Sequence, residues 1–253
     1  MKKANIIFAL LSLLLFYSCK KNSVATVVET KDSLSEHLLA FYPFNGNALD
    51  ESGNNNNLVV HGATLTQDRF GNIQKAYEFN GADQYMNIPK FSPDSLHQSF
   101  TISLWAKPEG NFSSYLLSLH SDSSIDCVNS VWIENGAGGH NIRCNYAPSF
   151  PPQNLCTAYL LFKPIPDSSG KWMHVAMVVE KPNPYIKSFY LYLDGESVSS
   201  GTSDISASTF NYGGVIGTAI FNAYFYKGAL DDIRIYDKAF SESEILELYH
   251  LQK

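Results

Sequence analysis

From Glu36 onward the chain is a succession of short apolar runs cut by Gly, Asn, Asp and Pro, and no segment keeps helical periodicity until Ser241. A chain punctuated this often cannot build stacked helices, so its apolar residues have to be buried on short strands. In "SFTISLWAKP", Phe100, Ile102 and Leu104 alternate with Thr101, Ser103 and Trp105; in "SFYLYLDGESV", Phe189, Leu191 and Leu193 alternate with Tyr190 and Tyr192. The second run ends at Asp194-Gly195, a two-residue hairpin turn. Both strands are expected to be half-buried, with a second face of aromatic and polar groups. "KWMHVAMVVE" is apolar almost throughout and reads as a central strand. One helix is expected after Ser241, where Ser241 and Glu244 form a capping box and Ile245, Leu248 and Tyr249 make an apolar stripe. It is expected to lie across the edge of a sandwich. At 253 residues and 45% hydrophobic content, one large core and one domain suffice.

The N-terminal segment follows a different logic. Lys2 and Lys3 precede an apolar stretch from Ile6 to Tyr17, too short for the roughly 20 residues that a spanning helix needs. Ser18 directly before Cys19 resembles the lipobox of bacterial lipoproteins, with Phe16 where that family usually has Leu. The resemblance implies acylation of Cys19 and a lipid-anchored place in the bacterial cell envelope, with periplasmic and surface exposure both open. An ordinary cleaved secretory peptide is the alternative. Residues 1–18 are therefore read as signal peptide, 19–36 as a polar tether and 37–253 as the folded domain. Removing residues 1–18 takes away two lysines and no acids, so the formal charge moves from −6 to −8. That balance argues against a nucleic-acid partner, which needs a basic patch. Acyl chains on Cys19 would supply membrane attachment instead.

Cys127, Cys144 and Cys156 would then share an oxidising compartment. A hairpin turning around Phe150 sets Cys144 opposite Cys156, the expected disulfide. The cysteine spacings fit no CxxC zinc pattern.

Six segments in order carry a resemblance: "LLAFYPFNGNALDESGNNNNLVVHGATL", "AYEFNGADQYMNIP", "FTISLWAKP", "KWMHVAMVVE", "FYLYLDGESVSSG" and "GALDDIRIYDKAFSESEILELY". Together they resemble the laminin-G-like, concanavalin A-like domain over Leu38 to His250. The resemblance implies an all-β, two-sheet antiparallel jelly-roll sandwich with a short C-terminal helix, often a structural calcium and often sugar binding. The fold hosts lectins, glycanases and adhesion modules alike, so no single activity follows from it. The segment from Leu119 to Pro166 departs from the family pattern.

Within "GALDDIRIYDKAF" two acids interrupt an apolar strand. Strand parity puts Asp231 on one face with Ile233 and Ile235, and Asp232 on the other with Leu230, Arg234 and Tyr236. Asp232 and Arg234 then make an ordinary same-face pair. Asp231 needs a cation or several N–H donors, and the resemblance implies an Asp at this position. Two readings stay open. Asp231 holds one Ca²⁺ with Asp50, Asn45 and Asn47 from the oxygen-rich loop "FNGNALDESG", or it accepts N–H groups of that loop directly.

No run offers two same-face acids on one strand, the arrangement that glycan cleavage on this superfamily's strands uses. His174, inside an apolar strand, reads as structural. Aromatic residues suit the apolar faces of sugars. Tyr190, Tyr192, Tyr224 and Tyr226, with Trp132, Arg143 and Tyr146 from the divergent segment, are the candidate ligand-binding residues. The expected function is noncatalytic binding of a glycan or a cell-surface protein. A glycoside hydrolase with an atypical carboxylate pair is the alternative, and a structural or partner-binding lipoprotein the third reading.

Overall fold

The computed structural model describes residues 34–91, 99–110, 113–120, 130–135, 141–147, 159–165, 169–183, 186–204, 213–219 and 222–251. Along these residues run β1 (Leu38–Tyr42), β2 (Val59–His61), β3 (Thr64–Thr66), β4 (Ala76–Asn80), β5 (Tyr85–Ile88), β6 (Phe100–Pro108), β7 (Ser114–His120) and β8 (Ser130–Asn135). They continue with β9 (Asn141–Ala147), β10 (Tyr159–Pro164), β11 (Met173–Asn183), β12 (Ile186–Leu193), β13 (Glu196–Asp204), β14 (Gly213–Ile216), β15 (Lys227–Tyr236) and α1 (Glu242–His250). No helix among them is long and apolar enough to cross a membrane.

Alternation along each strand sorts the side chains into two layers. The first sheet has the order β13-β12-β11-β6-β15-β4-β3, with β1 also paired to β15; the second has the order β10-β9-β8-β7-β14-β5-β2. Neighbouring strands are antiparallel in both. In the first sheet, Phe100, Ile102, Leu104 and Ala106 of β6 lie opposite Val179, Met177, Val175 and Met173 of β11, all in the main core. The second sheet brings Met86, Ile88, Leu117, Leu119, Ile133, Ile142 and Ile216 to the same core. Full burial of each such side chain contributes about 1.5–3 kcal/mol, which makes the inter-sheet layer the main stabilising term. The sandwich and the central place of β11 are as expected.

The helix departs from expectation. It does not lie across the sandwich edge; it packs on the outer face of the first sheet. Ile245 and Leu248 join Ala176, Val178, Tyr192, Tyr236 and Phe240 in a second buried cluster, which also takes Leu34 from upstream of β1. The supposedly half-buried strands are therefore covered on both faces. Tyr192 is only 3% exposed for this reason. The capping box forms as predicted: Ser241 Oγ accepts from the Glu244 N–H, and Glu244 Oε2 accepts from the Ser241 N–H at 2.9 Å. Asp194 and Gly195 adopt φ of 51° and 83°, as a type I′ hairpin requires.

Strand parity fails at one point. Along β15, Leu230 lies opposite Ala106 and Asp231 opposite Trp105, yet Arg234 lies opposite Ser103. Three steps on β15 match two on β6, so one extra residue forms a β-bulge, with Asp232 at φ 48°. Leu230 and Ile233 both face the core, while Asp231 moves to the outer face with Trp105 and Arg234. The expected grouping of Asp231 with Ile233 and Ile235 is thereby overturned. The bulge also marks where β15 exchanges neighbours: β4 pairs with it through Leu230, and β1 from Ile233.

Two substitutions test this account by urea denaturation. Ser241→Ala is expected to lower stability by about 1 kcal/mol through loss of the cap. Gly228→Ala is expected to cost more than the cap, because Gly228 has φ 134° and an added Cβ would lie 2.2 Å from the Lys107 carbonyl.

Candidate functional site

Two carboxylates buried in an apolar layer need a cation, and the loop between β3 and β4 supplies it. Arg69 Nη1 donates to Asp231 Oδ2 at 3.2 Å and to Asp232 Oδ2 at 2.6 Å. Its Nη2 donates to the Leu251 carbonyl at 2.9 Å, just past α1, where a cation suits the negative end of the helix dipole. The guanidinium lies between the rings of Phe70 and Trp105, at 4.4 and 4.5 Å from their centroids. Asp231 and Asp232 are fully buried, and the Arg69 side chain is 6% exposed. Arg234 approaches Asp232 Oδ1 at 3.4 Å.

Around this clamp is an aromatic recess of about 370 Å³, lined by Arg69, Phe70, Trp105, Trp172, Tyr249 and His250, with Leu251 at its edge. Trp105 and Tyr249 are stacked, 5.7 Å apart at an interplanar angle of 18°. Phe70 is 49% exposed. Flat rings beside a fixed cation can take the apolar face of a sugar and hydrogen-bond its hydroxyls. Beneath Trp105 sits His174, whose Nε2 is 2.8 Å from Ser103 Oγ and whose Nδ1 has no partner. Burial, with Arg234 and Arg69 nearby, pushes the His174 imidazole down to about 3. Neutral at ordinary pH, it has the structural role expected of it.

The residues read as a calcium site are committed elsewhere. Asp50 Oδ1 accepts from the Phe41 and Ser52 N–H groups, and its Oδ2 from Asn56 N–H and Ser52 Oγ. Asn45 Oδ1 accepts from Lys75 Nζ, and Asn47 Oδ1 from Leu49 N–H. With Asp231 held by a guanidinium, these four residues do not fit a shared calcium, and the described residues contain no cluster of three or more His, Cys, Asp or Glu suited to a metal. Neither open reading of Asp231 anticipated an arginine. The signal was available: the chain has only three arginines, Arg69, Arg143 and Arg234, to serve two acids in an apolar strand.

The candidate ligand residues do not converge. Tyr190 and Tyr192 line a cleft of about 350 Å³ at the N-terminal end of α1, with Glu180, Glu242 and Glu244. Burial and the Lys238 and Ser241 hydrogen bonds act in opposite directions on Glu244, and its carboxyl is held below its ordinary value. Tyr226 is a core residue, fully buried with its hydroxyl donating to the Ala229 carbonyl at 3.2 Å, so its assignment to ligand binding is corrected. Tyr224 is 61% exposed beside Tyr115. In the second sheet, Trp132 pairs with Asn145, Arg143 with Glu134 and Tyr146 with Val131. Cys144 is opposite Leu161, not Cys156, which corrects the expected hairpin register; Cys156 and Cys127 lie outside the described residues. So do Cys19 and the segments 1–18 and 19–33. Phe70, Trp105, Trp172 and Tyr249, which do converge, were not singled out as ligand residues, since they come from distant segments.

Comparison with known proteins agrees with the fold. The model of the concanavalin A-like lectin/glucanases superfamily matches residues 80–246, and the chain belongs to this family. Domain 4 of AbnA, an extracellular arabinanase from Geobacillus stearothermophilus, solved with arabinotriose, is 21% identical with a TM-score of 0.57, over 84% of this chain and 98% of that domain. The botulinum neurotoxin serotype D ligand binding domain, solved with N-acetylneuraminic acid, is 14% identical with a TM-score of 0.65, over 85% of this chain. The binding domain of Paraclostridial Mosquitocidal Protein 1 is 18% identical with a TM-score of 0.61, over 85% of this chain. This chain spans about half the length of the two toxin domains, 51% and 52%. The comparison with curated proteins gives no match.

Two predictions follow from the clamp. Arg69→Met should cost about 3–5 kcal/mol by leaving buried acids uncompensated, and adding Asp231→Asn with Asp232→Asn should recover part of it in denaturant melts. Between about pH 3 and 6.5 the unfolded chain protonates His174 and the folded chain does not. Stability should therefore fall as pH drops through that window, with a slope approaching about 1.4 kcal/mol per unit that His174→Gln flattens.

Proposed function

We propose that this member of the concanavalin A-like lectin/glucanases superfamily is a noncatalytic glycan-binding module, carried on a lipid-anchored cell-envelope protein, with the aromatic recess as its sugar platform. The observation that carries the reading is the convergence of Phe70, Trp105, Trp172 and Tyr249 around one open recess beside Arg69. Rings held by packing lose little freedom when a sugar stacks on them, and Arg69, already fixed by two carboxylates, needs no reorganisation to stand beside them. Among the described residues no carboxylate lines the recess, and an acid and base pair is what glycoside hydrolysis uses. Neighbours of the same fold bound to arabinotriose and to N-acetylneuraminic acid support a glycan as the class of ligand. The Cys19 lipobox supports the membrane anchor.

For the glycan-cleaving alternative, the cleft lined by Glu180, Glu242 and Glu244 brings three carboxylates together among the described residues. There Glu244 is engaged by Lys238 and by its own capping box, which favours a charged, structural carboxylate over a proton donor. Adhesion to a cell-surface protein is the remaining reading, and binding to such a partner without any glycan would favour it.

A glycan array run with the purified chain, with calcium or with chelator, and paired with an assay for released reducing ends, tests the proposal. Binding without cleavage is expected, weakened roughly two- to tenfold in Phe70→Ala and Trp172→Ala. Calcium and chelator are expected to leave both binding and melting temperature unchanged. Reducing ends released in proportion to enzyme, or affinity indifferent to both aromatic substitutions, would count against it.

A further inference from the structure

A second recess adjoins the other flank of the loop that carries Arg69. Its volume is about 540 Å³; Lys75, Arg234, Asn45, Asn72 and Asp68 give its polar lining, and Phe41 and Pro43 its apolar part. We infer that this pocket binds the carboxylate of an acidic sugar residue, the acidic unit of the glycan class proposed above, on which this inference rests.

Arg234 carries the argument. The β15 bulge turns it to the outer face, where its guanidinium stacks 4.0 Å from the Phe41 ring centroid. Its side chain is only 12% exposed. Among the described residues its ion-pair partner is Asp232 Oδ1, at 3.4 Å, and that oxygen receives no hydrogen bond. Asp232 is instead drawn to Arg69 through its other oxygen, at 2.6 Å. A guanidinium has five N–H donors in a planar fork, and a nearly buried one normally finds acceptors. Here Arg234 lines a pocket, and among the described residues its only close acceptor is the Asp232 oxygen at ion-pair distance. A carboxylate fits that fork with two parallel hydrogen bonds.

The remaining lining suits the rest of an acidic sugar. Lys75, whose Nζ reaches Asn45 Oδ1 at 2.9 Å, adds a second positive charge. Asp68 is the opposing charge, but Phe70 N–H, Asn72 N–H and Asn72 Nδ2 all donate to it, binding it into its own loop. Asn72 lines the pocket with an amide suited to a hydroxyl, and Phe41 and Pro43 offer apolar surface to the ring. Arg69 and Phe70 line one recess, and Asp68, Asn72 and Lys75 the other, so one loop presents neutral and acidic subsites on its two flanks.

The test is titration of the whole chain, by calorimetry and ligand-observed NMR, with oligogalacturonides and with the same oligosaccharides reduced at their carboxylates, alongside methyl glucuronide, methyl glucoside, sodium acetate and inorganic phosphate. The acidic oligosaccharide should bind at least tenfold more tightly than its neutral form, and the preference should shrink with added salt. Arg234→Lys, which keeps the charge but loses the fork, and Lys75→Met, a loop variant away from the buried clamp, should each reduce the preference while binding of the neutral oligosaccharide is retained. Neutral and acidic glycans bound equally, or a preference intact in both variants, would overturn this inference while leaving glycan binding at the aromatic recess standing. Acetate or phosphate binding as tightly as methyl glucuronide would reduce the pocket to a plain anion site and overturn it too. No glycan binding of any kind would overturn both readings.

Discussion

One guanidinium holds together parts of the chain that are far apart in sequence. Arg69 ties the loop after β3 to the bulge in β15 and to the end of α1, through two carboxylates and one carbonyl. Charges so buried are expensive to desolvate, and the pairing offsets that cost without adding much net stability. Its value is in position: remove it and both acids lose the guanidinium that offsets their burial, while the helix end and the recess wall lose their common anchor. The flanking Phe70 and Trp105 rings exclude water from the pair, which strengthens the contact and fixes the ring planes.

The outer face of the first sheet is where this molecule differs from a plain two-sheet sandwich. Helix α1 covers one end of that face and turns Tyr192 and Tyr236 into buried packing, while the far end leaves Trp105, Trp172 and Tyr249 lining an open recess. Folding and the proposed recognition thus draw on the same aromatic supply, divided by how far the helix reaches. The β15 bulge performs a similar division among charged groups, since the extra residue sends Asp231 to Arg69 and Arg234 toward the neighbouring pocket.

The errors of the sequence reading have a common origin. Period-two alternation is valid along β6 and β11, where register is continuous, so Phe100, Ile102, Leu104, Val175 and Met177 were placed correctly. It fails at Asp232, because a bulge inserts one residue and inverts every assignment on one side of it. The same local rule could not reveal that a helix covers Tyr192, or that the β9–β10 register sets Leu161 opposite Cys144. Tyr226 looked like surface because its neighbours in "FNAYFYKG" are polar and aromatic, yet its ring packs edge-on against Phe79 in the core.

Strand periodicity, turn residues and the Ser241–Glu244 box are local properties, and they were enough to determine the class of fold, the central strand, the Asp194-Gly195 hairpin and the start of the helix. They also showed that two acids in "GALDDIRIYDKAF" demanded compensation. Which group compensates them is a question of contact between residues more than 160 positions apart, and only the tertiary structure decides it. The recess formed by Phe70, Trp105, Trp172 and Tyr249 belongs to the same category. Those rings share no local pattern; they meet because sheet order, a one-residue bulge and a docked helix bring them to one place.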